Sequence, residues 1–416
     1  MVPEFDTGWL NLHPRSINLI MKVKVVLSTA AFVVYSIGCT AQNSPVETQS
    51  PNSDYKPARA GQTRVMGVKT KTEYKVDKIA SKLSSPWAVI PLPDGRLLIT
   101  EKRGTMQIHD ANGAHVKKIS GFPEVDASGQ GGMLDVALDP DFSKNKMIYW
   151  SYSEKYGNGN LMAVAKGELE EAGSRIKDPK VIFRATPALR GSLHFGSRLV
   201  FDKDGNLFVS TGERSIPEGR KQAQWLNSGL GKIFKITKEG KPAPGNPFIS
   251  QKDAMPEVFA YGIRNAQGLD IHPVTGELWE NEFGPRGGDE VNIIRAGKNY
   301  GWPTITYGIE YGGGKVGEGI QQKEGMEQPV YYWDPVLSPS GMAFYKGNAI
   351  PEWKNNLFIG GLSSSHIARL VIENNKVVGE ERLLAGMGER FRDVAYFNNM
   401  LYAVTDSGNL YRVSKK

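Results

Sequence analysis

Residues 87–113 read "WAVIPLPDGRLLITEKRGTMQIHDANG", two apolar runs divided by turn residues at Asp94-Gly95 and at Gly104. Short apolar runs punctuated by Asp-Gly and Gly read as hairpin strands rather than helix. The phrase returns as "LVFDKDGNLFVSTGE" (199–213), "LDIHPVTGELWENEFG" (269–284) and "VAYFNNMLYAVTDSGNLYRVS" (394–414), with a looser copy in "NNLFIGGLSSSHIARLVIENNKVVG" (355–379). Each copy is a strand, a polar turn and a second strand ending at glycine or a carboxylate. One such unit cannot bury its own apolar face, so its imperfect recurrence points to a radial or stacked β-repeat.

From residue 71 onward almost no helical period interrupts the pattern. About 340 residues, at roughly 50–60 per unit, suit a six-bladed β-propeller with four strands to a blade. The expected fold is therefore all-β, with 71–416 as one propeller domain. "EYKVDKIA" (73–80) and the final "LYRVS" (410–414) are expected to pair and close the ring. Two β-sandwiches would need a linker, and nothing between residues 72 and 414 reads as one. In a propeller the chemistry belongs in loops at one end of the central channel.

The 416 residues, 40% of them hydrophobic, can supply the core of such a ring. A net charge of +7 is modest, and its Lys and Arg residues are scattered, with no basic helix and no RNA-binding signature. A nucleic-acid partner is therefore not expected. At the N-terminus, residues 1–20 have no targeting logic and read as a non-native or upstream extension. Residues 21–39 read as an export signal: Lys22 and Lys24, an apolar run from Val25 to Ile37, then Gly38-Cys39. The run is too short to span a bilayer comfortably. Cys39, the single cysteine, sits where a bacterial lipoprotein is cleaved and acylated, although Ser36 is atypical three positions before it. Acylation there would attach the chain to a membrane, so a periplasmic or outer-membrane-anchored protein is expected. Residues 40–70, rich in Ser, Pro, Gln, Asn and Thr, read as a flexible tether.

Five stretches carry candidate chemistry. "RGSLHFGSRLVFDKDG" (190–205) places His194 on a glycine-flanked loop before a strand, where a neutral imidazole could accept a proton. "GQGGMLDVALDPDF" (129–142) puts Gln130 among glycines, and "YGIRNAQGLD" (261–270) puts Arg264 and Asn265 on a similar loop. "GERFRDV" (388–394) holds Arg390 and Arg392 at a spacing that, in extended chain, faces both the same way. "ENEFGPRGGDEVNIIRAGKNYGWP" (280–303) combines a Gly284-Pro285 step with carboxylates and an aromatic turn. Taken singly, each has an ordinary structural reading. Together they offer a base, amides and three guanidiniums, suited to an anionic, carbonyl-rich ligand. The Gly-Pro carbonyls add hard oxygen donors of the kind Ca²⁺ prefers.

With these residues in place, the sequence resembles the soluble quinoprotein aldose sugar dehydrogenases of the glucose/sorbosone dehydrogenase family. The motifs "HFGSRLVF", "YGIRNAQG", "EFGPRGGDEVNI", "GKNYGWP" and "SGMAFY" follow in family order, and the likeness spans nearly all of residues 84–414. The resemblance implies a six-bladed propeller that binds pyrroloquinoline quinone (PQQ) and Ca²⁺. It implies oxidation of an aldose at its anomeric carbon to the lactone, with electrons passing to an external acceptor. His194 would be the general base. Gln130, Arg264, Asn265, Arg390 and Arg392 would bind the cofactor, and Tyr332 and Trp333 would wall the sugar site. The carbonyls of Gly284 and Pro285 would hold a cofactor-linked Ca²⁺, and Glu290 with Tyr300 a second, structural one. One departure stands out: relatives carry a lysine near the quinone where this chain has Ser363. A Ca²⁺-dependent propeller lactonase and a non-catalytic propeller module are the alternatives, since fold alone does not fix function.

Overall fold

The computed structural model describes residues 44–416. The extension, the export signal and Cys39 lie outside the described residues. Six four-stranded antiparallel sheets form the blades, as the repeat implies. Their innermost strands, in order, are Pro86–Pro91, Met133–Leu138, Gly196–Phe201, Ala266–Ile271, Pro339–Phe344 and Phe391–Phe397. Blade 6 is built from both ends of the domain. The strand Tyr74–Ala80 pairs with Leu410–Lys415, Tyr74 opposite Lys415, and closes the ring as expected.

Apolar clusters seal every joint between neighbouring blades. Trp150 and Ile108 pack between blades 1 and 2, and Phe183 and Phe234 between blades 2 and 3. Phe208 and Leu278 pack between blades 3 and 4, Trp279 and Phe344 between 4 and 5, and Phe358 and Phe391 between 5 and 6. Val89 and Tyr402 close the last joint, between blades 6 and 1. In the copies at 87–113, 199–213 and 269–284 the Asp/Gly turn joins the first and second strands of a blade, whereas in 394–414 it joins the second and third, and the 355–379 copy begins at the second strand of blade 5.

The innermost strands carry a polar hub. Arg198, on blade 3, reaches Asp135 of blade 2 at 3.1 Å and Asp393 of blade 6 at 2.9 Å. It also donates to the Gln267 carbonyl of blade 4 at 2.6 Å, and its guanidinium lies over Trp87 of blade 1. Asp393 in turn accepts from the Val89 amide of blade 1 at 2.8 Å. Burial pushes Asp135 up to about 6 even with Arg198 beside it.

The tether reading of residues 40–70 is corrected for the described part. Residues 44–70 pack along the outer edges of blades 4 and 5. Gln62 is fully buried, donating to the Pro329 carbonyl at 2.9 Å while its own carbonyl accepts from Tyr332. Val65 joins the core between those blades, and Met66 and Val68 exchange backbone hydrogen bonds with Glu380. Thr70 donates to Glu381 from both its amide and its hydroxyl. The polar composition that resembles a linker serves here to pair with open sheet edges, which would otherwise leave backbone groups free for aggregation.

Replacing Arg198 with Met should lower the urea midpoint by the equivalent of about 3–5 kcal/mol, because two buried carboxylates would lose their cation. An unchanged midpoint would show that the hub contributes nothing net.

Candidate active site

The loop entering each innermost strand reaches the same end of the ring, and there the six blades enclose a cavity of about 470 Å³. Each of these strands begins with a register irregularity against its neighbour. A bulge turns side chains away from the ordinary in-and-out alternation, and here it re-aims them toward the cavity. Trp87, Gln130, His194, Arg264, Ser338, Arg390 and Arg392 all line it from those loops and strand starts. Turns following second strands add Lys102, Gly284, Pro285, Ser363 and Asp406, and the third strand of blade 4 adds its first residue, Asp289.

His194 has a φ of 48° and is 5% exposed. Its amide donates to the Gln130 side-chain oxygen at 2.8 Å, so Gln130 positions the base through its backbone. Nδ1 lies 2.9 Å from Glu213 Oε1, which fixes Nδ1 as the protonated nitrogen and leaves Nε2 to accept. Burial lowers the imidazole pKa, opposed by Glu213 and reinforced by Arg264. The ring is therefore neutral at neutral pH. Gly212 permits the arrangement, since a Cβ there would lie 2.4 Å from the His194 carbonyl and 2.5 Å from the Asn265 side-chain oxygen.

Arg264 donates to the carbonyls of Phe283 and Gly284 at 3.1 and 2.7 Å. Its buried Nε, and the Nδ2 of Asn265, have no hydrogen-bond partner among the described residues, an arrangement that is costly for buried donors. Asn265 is fully buried and is not among the residues that line the cavity, so the expectation that it contacts the cofactor is corrected: its side-chain oxygen accepts from the Gly196 amide at 3.0 Å, in the segment that carries His194. Arg390 and Arg392 do line the cavity, but both are paired with Asp406, each through Nε at 2.8 Å. Although burial raises Asp406, the two arginines hold it below the usual carboxylate range. The ammonium of Lys102 donates to the Gly129 carbonyl at 2.6 Å. It gives the cavity a further cation, while Ser363 hydrogen-bonds Ser338 at 2.8 Å.

Oxygen donors gather at the Gly284-Pro285 turn. The Pro285 carbonyl accepts no hydrogen bond among the described residues, and the Gly284 carbonyl is shared with Arg264. Asp289 braces the turn by accepting from the Gly284, Leu337 and Ser338 amides, and burial pushes it up to about 6. Beneath lies a buried acidic group. Asn292 bridges Glu280 and Glu290 at 3.2 and 3.3 Å, while the other Glu280 oxygen and the Asn292 carbonyl oxygen are unpartnered. Burial, then the charge of Glu282, pushes Glu280 and Glu290 well above the usual carboxylate range. The Tyr300 hydroxyl is taken by the Ile293 carbonyl and the Arg295 amide, so only its own carbonyl remains to offer. Among the described residues no three His, Cys, Asp or Glu side chains form a ready metal cage, so a cation at either place would depend partly on carbonyl and amide oxygens.

The expectation for Tyr332 and Trp333 is corrected. Both lie in the outermost strand of blade 4, 3% and 4% exposed, far from any lining role: Tyr332 stacks on Tyr307 at 4.0 Å and Trp333 donates to Glu380. The aromatic residues of the cavity are Trp87, Phe195, Phe283 and Tyr311. Tyr311 sits in "EYGGGK", a glycine run in which no repeat signal marks it. Glu213 was also missed, although a signal for it exists: it is the carboxylate that ends the "LVFDKDGNLFVSTGE" copy.

The family model described as Glucose / Sorbosone dehydrogenase matches residues 83–412. The chain is 42% identical over 347 residues to the Aldose sugar dehydrogenase YliI of Escherichia coli, covering 82% of this chain and 93% of that one. The crystal structure of the soluble aldose sugar dehydrogenase from Escherichia coli in its apo form superposes with a TM-score of 0.79 at 40% identity, covering 83% of this chain and all of that one. The PQQ-bound aldose sugar dehydrogenase of Streptomyces coelicolor superposes at 0.68 with 28% identity, covering 83% and 99%. With the propeller, the cavity and its buried histidine already in place, these matches establish that the chain belongs to the glucose/sorbosone dehydrogenase family.

Proposed function

We propose that this protein is a PQQ- and Ca²⁺-dependent aldose sugar dehydrogenase, oxidising the anomeric carbon to the lactone and passing electrons to an external acceptor. The observation that carries the reading is the meeting, in one cavity, of a neutral braced imidazole with the cations of Lys102, Arg264, Arg390 and Arg392. A lactonase or a passive binding module has no need of that combination. The export signal read in residues 21–39 supports a reaction outside the cytoplasm.

PQQ, when bound, supplies the two-electron redox chemistry. The residues present fit it: Arg264, Lys102, Arg390 and Arg392 line the cavity and give it a positive field suited to an anionic, carbonyl-rich group. His194 Nε2 takes the proton of the C1 hydroxyl. Glu213 holds the tautomer and stabilises the imidazolium that forms. Gln130 and Gly212 fix where the ring stands, and the buried setting keeps water from competing for Nε2.

Calcium would supply fixed positive charge. At the Gly284-Pro285 turn the free Pro285 carbonyl and Asp289 fit a hard cation. At the deeper group Glu280 and Glu290 fit one better than they fit each other, with the Asn292 oxygen as a neutral donor.

Protein made without PQQ should be inactive toward aldoses and gain dye-linked oxidation when PQQ and Ca²⁺ are added. Activity indifferent to PQQ, or none on a broad aldose panel, would overturn the reading.

His194→Gln should slow oxidation about 10²–10⁴-fold, the usual cost of losing a general base. PQQ binding, measured by absorption or tryptophan quenching, should survive, because its contacts are assigned to other residues. A mutant turning over near the wild-type rate would leave His194 a structural residue.

Calcium binding should depend on pH, since its carboxylates must lose their protons. In calcium-free protein the raised pKa values of Glu280 and Glu290 favour folding at low pH, and that contribution is lost as pH rises above the ordinary carboxylate value. The Tm gain on adding Ca²⁺ should therefore grow between about pH 5 and about pH 7.5, to the order of 5 °C at saturation. It should shrink in Glu290→Gln. Equal Tm values in EDTA and Ca²⁺ at both pH values would remove the structural calcium.

A further inference from the structure

Tyr311 lines the cavity and yet is 69% exposed. It belongs to a loop whose next three residues, Gly312 to Gly314, have no neighbouring atoms where a Cβ would stand. Glycine leaves such a stretch little side-chain packing, and two backbone hydrogen bonds, from the Glu310 amide to the Gly314 carbonyl and from the Gly313 amide to the Glu310 carbonyl, both at 2.8 Å, close it as a turn. What orients that turn lies on either side. Before the tip, Ile309 exchanges backbone hydrogen bonds with Arg286 at 2.9 and 3.1 Å. Glu310 is gripped by Arg220, whose Nη1 and Nη2 donate to separate carboxylate oxygens, the second at 3.2 Å. After the tip, Val316 is 1% exposed and packs with Trp302 and Ala223.

Both anchors converge on one indole. The Arg220 guanidinium lies over the Trp302 ring, 5.3 Å from its centroid, and the Arg264 guanidinium lies over the same ring at 5.0 Å. The short helix Pro217–Arg220 also packs against the backbone of Glu213, whose carboxylate holds His194. A Cβ on Gly219 would stand 2.0 Å from the Glu213 carbonyl oxygen, so that helix and the partner of His194 are in closest contact. Arg220 thus joins the tip of the loop to the Trp302 ring shared with Arg264 and, through its helix, to the backbone of Glu213, without itself lining the cavity.

We propose that the Arg220–Glu310 pair is a latch that positions Tyr311 as the wall of the sugar site. With the latch made, the ring of Tyr311 is presented at the cavity as an apolar face of the kind on which the C–H face of a sugar packs. Without it, the turn keeps its own hydrogen bonds and the Ile309–Arg286 pairing but loses the side-chain tie next to Tyr311, whose ring is then no longer held at the cavity. Arg220 and Glu310 are positioning residues. Each side chain of the pair is about one-third exposed, at 37% and 33%, so the latch is expected to be modest in strength and sensitive to salt. The sugar assignment rests on the function proposed above; the latch does not.

The test uses Arg220→Gln, Glu310→Gln, and the exchanged pair Arg220→Glu with Glu310→Arg. Lys315 is exposed at the loop tip, next to the buried Val316, so tryptic cleavage after Lys315 reports release of the loop whether or not PQQ is present. Both single variants should be cut there roughly two- to fivefold faster, the range of an exposed ion pair, with Tm little changed. The exchanged pair should return the rate toward wild type. In PQQ-loaded protein the same singles should raise the aldose KM by a similar factor while kcat stays within about twofold, the signature of lost binding rather than lost chemistry. Unaltered cleavage in both singles, or no rescue by the exchanged pair, overturns the latch. Faster cleavage with an unmoved KM overturns the sugar-wall role. Failure of PQQ to support any turnover leaves the cleavage result intact and tells instead against the proposed reaction.

Discussion

The ring depends on one guanidinium. Arg198 is fixed to its own blade and touches blades 1, 2, 4 and 6 through Trp87, Asp135, the Gln267 carbonyl and Asp393. Apolar clusters between blades are tolerant of small rotations, because dispersion has little direction. Ion pairs and hydrogen bonds buried together are not tolerant, since each lost contact exposes a charge to low dielectric. The hub therefore sets the angle at which blades meet. Leu134, Gly196, Gln267 and Arg392, all next to or two residues from a hub member or belonging to one, line the cavity. The cavity floor inherits its geometry from the hub.

Above that floor the charges are unevenly answered. Arg390 and Arg392 share Asp406, whereas Arg264 and Lys102 meet only carbonyl oxygens. Carbonyls satisfy hydrogen bonds without cancelling charge, so the cavity keeps a net positive character on the side away from Asp406. The buried imidazole is protected from protonation in the same environment. Desolvation disfavours the imidazolium, and the neighbouring Arg264 adds to this, while Glu213 keeps the opposing pull small enough for the ring to remain a usable base.

Much of the fold was legible because its unit is short and repeated. Strand, turn and strand recur within one blade, and each copy can be seen without knowing its neighbours. The cavity was legible where a residue sits just before an innermost strand, as with Gln130, His194 and Arg264. It was illegible where position depends on loop path. Between Trp302 and Tyr331 the chain leaves the repeat, and nothing in its spacing separates Tyr311, which reaches the cavity, from Tyr332, which packs on Tyr307 in an outer strand. Arg198 lay in plain sight in "HFGSRLVF", but its partners are in blades 2 and 6. Residues 44–70 misled for a different reason: composition records what a segment could do in water, not whether a sheet edge is waiting for its hydrogen bonds.

Closing blade 6 with Tyr74–Ala80 and Leu410–Lys415 has a consequence for how the molecule comes into being. The two strands that must pair are separated by nearly the whole domain, so the final joint is among the most non-local contacts the chain can make. Formation of such contacts is slow, because loop-closure entropy must be lost before any pairing energy is gained. A ribosome that has made five blades still holds an open arc with two bare edges, one beside blade 1 and one beside blade 5. Only release of the last residues lets the arc become a ring. An open arc is the more extended and more adhesive form of the chain, so synthesis and folding are separated in time, and the interval between them is where the chain is most exposed to chaperones, to proteases and to its own kind.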